Sequence, residues 1–205
     1  DGEYLRSPEN HSPFAKLLRE VSAVPGVERI RFTSPHPKFM NASFIDAVTS
    51  LPNVCESFHV PLQSGSDKIL AAMRRGYTAA NYQQVINAIR QGLPHVTFST
   101  DIIVGFPGET DEDFQATREL MQQIGFDMAY IFKYSPRTGT KAASLPDDVP
   151  TAVKEARNQT LLADLAERNT SANRTYLGQT VEVLVEGVSK RNRKRWCGRT
   201  RTNKV

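Results

Sequence analysis

An apolar run that ends in a glycine turn and a helix start constrains this chain more than any other feature. The run Thr100-Asp-Ile-Ile-Val-Gly-Phe-Pro-Gly-Glu-Thr110 has the pattern of a buried strand, a Gly/Pro turn and a helix N-terminus. Such junctions form ligand sites in α/β proteins, because backbone can approach a ligand at glycines and a helix start offers free N–H groups. Three further junctions in the chain are similar, which favours a repeated strand–helix fold.

Apolar periodicity predicts that strands and helices alternate along the chain. The predicted strands are Glu28–Thr33, Val54–Leu62, Val96–Val104 and Asp127–Tyr134. The predicted helices are 13–23, 44–51, 67–74, 79–90, 110–124 and 151–173, the fifth with a capping box of Thr110 and Asp113. Four strand–helix units imply parallel strands joined by right-handed crossovers. We therefore predict an α/β fold, a partial parallel β/α (TIM-like) barrel.

The C-terminal part has a different pattern. Within Gln179–Gly187, Val181, Val183 and Val185 alternate with polar residues, as in a half-buried strand. This pattern predicts the start of a small antiparallel β module. We accordingly predict two domains, residues 1–173 for the barrel and 174–205 for the β module.

Composition and cysteine usage narrow the class of protein. The hydrophobic fraction of 39% and the charged fraction of 23% are those of an ordinary soluble globular protein. No apolar run approaches the roughly 20 residues that span a bilayer, so no membrane partner is expected. Two cysteines far apart, Cys55 and Cys197, argue against a disulfide framework and fit the cytoplasm. The start lacks Met and any signal peptide, and we expect a fragment of a longer protein.

Positive charge is concentrated at the C-terminus. Eight of the 26 Lys and Arg residues lie in 187–205, which contains no acid, so the other residues carry 18 basic and 22 acidic side chains. Such a basic block is typical of a site for a polyanion. A solvated basic surface hairpin would have the same composition and remains an alternative at this point.

A barrel of this kind binds ligands where its strands end, and these positions are polar or glycine-rich here. Gln63, Ser64 and Asp101 can hydrogen-bond the hydroxyls and amines of a ribose or an amino acid. Val104 could form an apolar wall for a planar base, and Arg137 suits a carboxylate or phosphate. Each strand exit alone also has a structural explanation, such as turn glycines, a loop cation or a surface histidine, but four exits on one rim favour a binding site.

Several longer motifs resemble those of a known family. These are His59-Val-Pro-Leu-Gln-Ser-Gly-Ser66, Met73-Arg-Arg-Gly-Tyr77, Asp101-Ile-Ile-Val-Gly-Phe-Pro-Gly-Glu-Thr110 and Tyr134-Ser-Pro-Arg-Thr-Gly-Thr140. They occur in this order in the radical SAM methylthiotransferases, and the chain most resembles the MiaB branch. That branch installs a methylthio group on N6-isopentenylated adenosine beside the tRNA anticodon.

The resemblance implies a three-part protein with a methylthiotransferase domain, a radical SAM partial barrel and an RNA-binding TRAM domain. This chain matches the later part of the barrel and the start of TRAM. The CxxxCxxC motif that holds the family's 4Fe-4S cluster is absent, as are the cysteines of a second 4Fe-4S cluster, so we expect both upstream of Asp1. The fragment alone would then not cleave S-adenosylmethionine (SAM), and no metal ligand is predicted within it.

The resemblance also implies roles for individual residues. Those matching SAM-binding segments are Ser34, His36, Gln63, Ser64, Asp101, Val104, Glu109, Tyr134 and Arg137. Those expected to contact phosphates of the tRNA anticodon stem-loop are Lys190, Arg191, Arg193, Lys194, Arg195, Arg199 and Arg201. In the family a radical derived from SAM removes hydrogen from C2 of the adenine. No proton-transferring catalytic residue is predicted here. Besides tRNA, the expected partner is an electron donor for the cluster. The protein is expected to be a monomer.

Two alternatives remain at this stage. One is a sister methylthiotransferase that acts on threonylcarbamoyl-adenosine in tRNA. No obvious feature of the chain distinguishes the MiaB branch from this sister enzyme. The other is a non-catalytic RNA-binding barrel relic that kept its basic tail. The upstream cysteine motif would distinguish an enzyme from such a relic.

Overall fold

A parallel sheet forms the centre of the fold. The computed structural model describes residues 12–205, so the first eleven residues of the predicted 1–173 domain lie outside the described part. Strands β1 (Ser57–His59), β2 (Thr97–Val104) and β3 (Met128–Lys133) are all parallel and lie in the order β1-β2-β3. This consecutive parallel order confirms the predicted α/β class.

The first predicted strand is not a regular strand. Residues 28–33 run beside β1 and the residues that precede it, but only two isolated bridges form. These join Ile30 to Val54 and Thr33 to His59. Likewise β1 is shorter than the predicted Val54–Leu62. One reason is that Pro61 lacks an N–H group, and the next N–H, that of Leu62, donates to the Thr100 hydroxyl at 2.9 Å rather than to a backbone carbonyl.

Within residues 12–205, six α-helices connect and cover the strands. They are α1 (Pro13–Ser22), α2 (Ala42–Ser50), α3 (Asp67–Ala72), α4 (Ala79–Gly92), α5 (Asp111–Ile124) and α6 (Thr151–Arg174). Short 3-10 turns lie at Pro37–Phe39 and Lys141–Ser144. The predicted capping box of Thr110 and Asp113 is confirmed at the start of α5. No helix within residues 12–205 is both long and apolar enough to cross a membrane.

The two faces of the sheet differ in character because side chains alternate along a strand. Phe58, Phe98, Ile102 and Val104 lie on the outer face, where they are almost completely buried in the hydrophobic core. Side chains on the inner face are partly exposed and include polar ones. The inner face of the partial barrel is therefore the side on which a ligand can be received.

The C-terminal residues form an antiparallel hairpin of β4 (Leu184–Val188) and β5 (Trp196–Arg199). The predicted strand began earlier, at Gln179, but pairing starts only at Leu184. The segment after β5 contacts the starts of the parallel strands. Thr97, the first residue of β2, donates to the Thr202 carbonyl at 2.9 Å, and Arg31 donates to the Thr200 carbonyl at 2.6 Å. The C-terminal segment thus docks at the end of the barrel opposite the strand exits.

Candidate functional site

Two strand exits have an uncommon backbone conformation. Ser34 has φ 56° and Gln63 has φ 72°, both in the left-handed region that residues other than glycine rarely adopt. The Gln63 N–H donates to the Asp101 carbonyl at 2.8 Å, which fixes this exit against β2. The Gln63 side-chain amide makes no hydrogen bond within residues 12–205. Strained backbone of this kind is frequent at ligand sites, so these two exits are candidates for one.

Glu109, predicted to bind the cofactor, points into the protein instead. Its side chain is 1% exposed, and Oε1 accepts hydrogen bonds from the Gly105 N–H at 2.8 Å and from Arg157 Nη1 at 2.7 Å. Burial raises the pKa of Glu109, while the Gly105 N–H and the Arg157 charge act in the opposite direction. The carboxylate therefore fixes the turn after β2 and is unavailable to a ligand.

Ser64 and Val104 are also structural in this fold. Ser64 is fully buried, and its Oγ lies 3.2 Å from Oγ1 of Thr117 in α5. The Val104 side chain is fully buried on the outer face of the sheet, away from the inner face. The side chains of both residues are thus packed within the fold, and their cofactor-binding role stays a prediction.

His36 and Tyr134 lie at the rim with part of their hydrogen-bonding capacity used within the chain. Burial, followed by the charges of Arg75 and Lys38, lowers the pKa of His36 to about 4. The ring is thus neutral at pH 7, and Nδ1 accepts from the Lys38 N–H at 3.3 Å. The Tyr134 hydroxyl donates to the Ala142 carbonyl at 2.9 Å. Both rings can provide contact surface, but neither has all its polar atoms free.

Arg137 is the most accessible cation predicted at the rim. It is exposed in the loop between β3 and α6, and its guanidinium has no hydrogen-bond or ion-pair partner within the described residues. An unpaired guanidinium can grip a carboxylate or phosphate through two parallel N–H bonds. Together with Ser34 and Gln63, Arg137 is a rim residue whose side chain remains free for a ligand.

Sequence reasoning missed most of a polar cluster on the inner face. His59 Nδ1 lies 3.0 Å from Ser99 Oγ, and His59 Nε2 lies 3.3 Å from Asp101 Oδ2. The Tyr130 ring meets the His59 ring edge to face, with centroids 5.9 Å apart. Of these residues only Asp101 was predicted. Polar residues two apart in an apolar strand, Ser99 and Asp101, were the available signal, because residues i and i+2 share a face.

The predicted phosphate contacts divide into two groups. Five side chains at the hairpin tip make no hydrogen bond or ion pair within the described chain: Lys190, Arg191, Arg193, Lys194 and Arg195. By contrast, Arg199 pairs with Glu186 at 3.1 Å, and Arg201 pairs with Glu56 at 2.8 Å. Arg199 and Arg201 therefore stabilise the fold, and among the predicted phosphate contacts the unpaired cations are those at the tip.

A groove of about 950 Å³ lies beside the ends of α4, α5 and α6. Its arginines are engaged in the fold, since Arg168 donates to the Gly125 and Phe126 carbonyls and Arg118 pairs with Asp164. The groove is on the side away from the strand exits. We therefore place the candidate site at the rim and inner face.

The thiols of the described chain are too few to hold an iron–sulfur cluster. Cys55 is a buried free thiol and Cys197 a half-buried one. Within residues 12–205 no group of three or more His, Cys, Asp or Glu side chains could hold a metal ion. The described residues alone therefore do not fit a cluster.

Sequence comparison finds close relatives of this chain among curated proteins. The chain is similar to tRNA-2-methylthio-N(6)-dimethylallyladenosine synthase of Opitutus terrae, with 52% identity over 95% of this chain and 40% of the relative. The enzyme of the same name from Acetivibrio thermocellus is 50% identical over 94% of this chain and 40% of the relative. The chain thus spans about two fifths of the length of these curated relatives.

Structural comparison finds the same architecture. Coproporphyrinogen III oxidase (HemN) from Escherichia coli, a radical SAM enzyme, superposes with a TM-score of 0.53 at 18% identity, covering 64% of this chain and 31% of that one. At this identity the likeness concerns the fold alone. The family model of the radical SAM superfamily matches residues 6–121, more than half of the sequence. The chain belongs to the radical SAM superfamily.

Proposed function

We propose that this chain is part of a tRNA methylthiotransferase that adds a methylthio group to C2 of N6-isopentenyladenosine beside the anticodon. One observation carries the proposal: identity of 52% over 95% of the chain to a protein named for this activity. The reaction would need SAM and two 4Fe-4S clusters. The cluster ligands would come from parts of the longer relatives that this chain does not cover.

In this proposal the rim binds and orients SAM. Ser34, Gln63 and Arg137 supply the free polar side chains, and Arg137 would pair with the cofactor's carboxylate. His36 and Tyr134 add ring surfaces at the same rim. The buried pair of Glu109 and Arg157 holds the turn after β2 in the shape that this binding requires.

The hairpin tip would bind the tRNA backbone. Its five free cations can contact phosphates, which supply affinity with little sequence information. We propose that residues 174–205 begin a TRAM module and that the protein works in the cytoplasm as a monomer supplied with electrons by a separate donor.

The test is to delete the coding sequence and digest total tRNA for nucleoside mass spectrometry. We expect 2-methylthio-N6-isopentenyladenosine to disappear and N6-isopentenyladenosine to accumulate. The complete reading frame should restore the modified nucleoside. The Gln63→Ala variant should restore it poorly, whereas Gln84→Ala, which changes an exposed residue of α4, is the matched control and should restore it fully.

Other outcomes would change the assignment. Loss of a 2-methylthio derivative of threonylcarbamoyl-adenosine would assign the chain to the sister enzyme. An unchanged nucleoside profile would exclude both activities and leave RNA binding by the tip as the remaining function.

A further inference from the structure

The site described so far gives no role to a buried lysine of α6. The Lys154 side chain is only 6% exposed, and its ammonium forms an ion pair with the more exposed Asp147. Nζ also lies 5.3 Å from the centroid of the Tyr134 ring, a distance at which a cation and an aromatic face attract each other. A buried ammonium needs such partners, because an unpaired charge inside a protein is strongly unfavourable.

Both partners of this lysine belong to the loop that carries Arg137, residues 134–150, here called the Arg137 loop. Tyr134 comes directly after β3, and Asp147 lies shortly before α6 begins. Almost all of the residues between them are exposed, so the loop has little core of its own. The contacts with the lysine therefore join the start of the Arg137 loop to its end.

Lys154 also contacts the exit of β2. Its side-chain stem lies against Gly105, where an added Cβ would be 2.3 Å from Cγ of the lysine. Close by in sequence, the Gly108 N–H donates to Asp148 of the Arg137 loop at 2.8 Å. The loop after β3 is thus seated against the turn after β2, and Lys154 touches both.

The backbone that carries this lysine is itself held firmly. Three residues later in α6, Arg157 donates to the buried Glu109 of the turn after β2 at 2.7 Å. Asn158 donates to the Ile131 carbonyl of β3 at 2.8 Å. Because α6 is joined in this way to both strand exits, Lys154 is a fixed point from which the position of the Arg137 loop can be set.

We propose that Lys154 is a positioning residue that places the Arg137 guanidinium where it can pair with the carboxylate of SAM. The Arg137 carbonyl accepts from the Thr140 N–H at 3.1 Å and from the Thr140 hydroxyl at 2.8 Å, which stiffens the loop between its two ends. Lys154 is buried and paired, so it acts through Arg137 and does not touch the cofactor. The proposal rests on the proposed function, in which Arg137 binds this carboxylate.

The test compares SAM with decarboxylated SAM, which lacks the carboxylate, by anaerobic equilibrium dialysis against the full-length enzyme encoded by the complete reading frame. Loss of the arginine–carboxylate pair in Arg137→Ala should reduce the preference for SAM about tenfold. Lys154→Met keeps an unbranched stem but removes the ammonium, and it should reduce the preference roughly threefold to tenfold, because a two-pronged pair is sensitive to position. Lys16→Met changes an exposed lysine of α1 and is the matched control, with no change expected.

A double variant separates positioning from a purely structural role. Lys154→Met/Arg137→Ala should have the same preference as Arg137→Ala, since two residues that act through one contact give non-additive effects. A lysine that only stabilised the fold would weaken both ligands equally and leave the preference unchanged. Asp147→Asn changes an exposed residue and removes the loop's side of the ion pair, so it provides a second measurement if Lys154→Met does not fold. Its preference for SAM should also fall.

Three results would overturn the proposal. One is an unchanged preference in Lys154→Met and in Asp147→Asn. Another is an additive loss in the double variant, which would mean that Lys154 contacts the cofactor itself. The third is an unchanged preference in Arg137→Ala. The deletion experiment measures the tRNA nucleoside and not the preference for SAM, so the proposed function and the role of Lys154 can fail separately.

Discussion

Arg201 binds Glu56 through a two-pronged ion pair across 145 residues of sequence, with Nε 2.9 Å from Oε2 and Nη2 2.8 Å from Oε1. The same guanidinium donates to the Pro52 and Val54 carbonyls, each at 2.8 Å. One side chain thus joins the C-terminal segment to the chain that leads into β1.

Replacement of this arginine should loosen the docked segment. Arg201→Ala removes five hydrogen bonds of a partly buried cation, and we expect a loss of about 2 kcal/mol in unfolding free energy. Hydrogen exchange should also accelerate in β5. Urea unfolding measures the first effect and mass spectrometry the second. Arg191→Ala, at the free hairpin tip, is the control and should change stability by no more than about 0.5 kcal/mol.

The free tip should determine the salt dependence of RNA binding. The double variant Arg193→Ala/Arg195→Ala removes two cations without intrachain partners, so the slope of log affinity against log salt should decrease by roughly 0.7–0.9 per contact. Filter binding of tRNA at several salt concentrations measures the slope. Arg118→Ala, whose guanidinium is paired with Asp164, should leave it unchanged. Equal slopes for the double variant and the unmodified chain would exclude the tip as the phosphate site.

Gly105 should be intolerant of a side chain, for two reasons. Its φ is +71°, and a Cβ there would lie 2.3 Å from Cγ of Lys154, a buried residue held by an ion pair with Asp147. We expect Gly105→Ala to cost about 3 kcal/mol in unfolding free energy. Gly108→Ala is the matched control, since its φ is +79° but the space around it is open, and about 1 kcal/mol is expected. Similar losses would mean that contact with Lys154 is unimportant.

Removal of one partner from the buried pair of Arg157 and Glu109 should strongly destabilise the fold. Arg157→Leu leaves the Glu109 carboxylate buried and without its cation, and the expected loss of unfolding free energy is about 3–5 kcal/mol. Arg118→Leu breaks a more exposed pair and should reduce the free energy of unfolding much less. Thermal and urea unfolding of both variants provide the comparison. A small effect of Arg157→Leu would show that water can replace the guanidinium.

Asp113 should make stability depend on pH in the acid range. Partial burial would raise the pKa of Asp113, but hydrogen bonds from Lys68, Ser66 and Thr110 outweigh it and lower the pKa to about 2. Because the folded-state pKa lies below the unfolded value of 3.8, this group stabilises the fold above pH 3.8, and the contribution is lost as pH falls toward 2. The melting temperature of Asp113→Asn should therefore decline less between pH 4 and pH 2 than that of the unmodified chain. An identical decline would contradict the pairing.

Much of the fold follows from local sequence patterns. Apolar periodicity and capping residues predicted the six helices closely, because helix hydrogen bonds and caps such as Thr110 are local. The strands were less predictable at their ends. Pro61 shortens β1, and residues 28–33 remain an extended segment with isolated bridges, because strand pairing depends on partners distant in sequence.

The sequence by itself determined the family, the parallel α/β order and the rim where Ser34, Gln63 and Arg137 lie, because these depend on motifs and on the direction of consecutive strands. Tertiary structure alone decided which polar residues remain free. Glu109 accepts hydrogen bonds from Arg157 and Gly105. Arg201 donates to Glu56, and His59 lies within hydrogen-bond distance of Asp101 on the neighbouring strand. A residue type states what a side chain can bind, but only the folded chain brings together the partners, far apart in sequence, that compete for it.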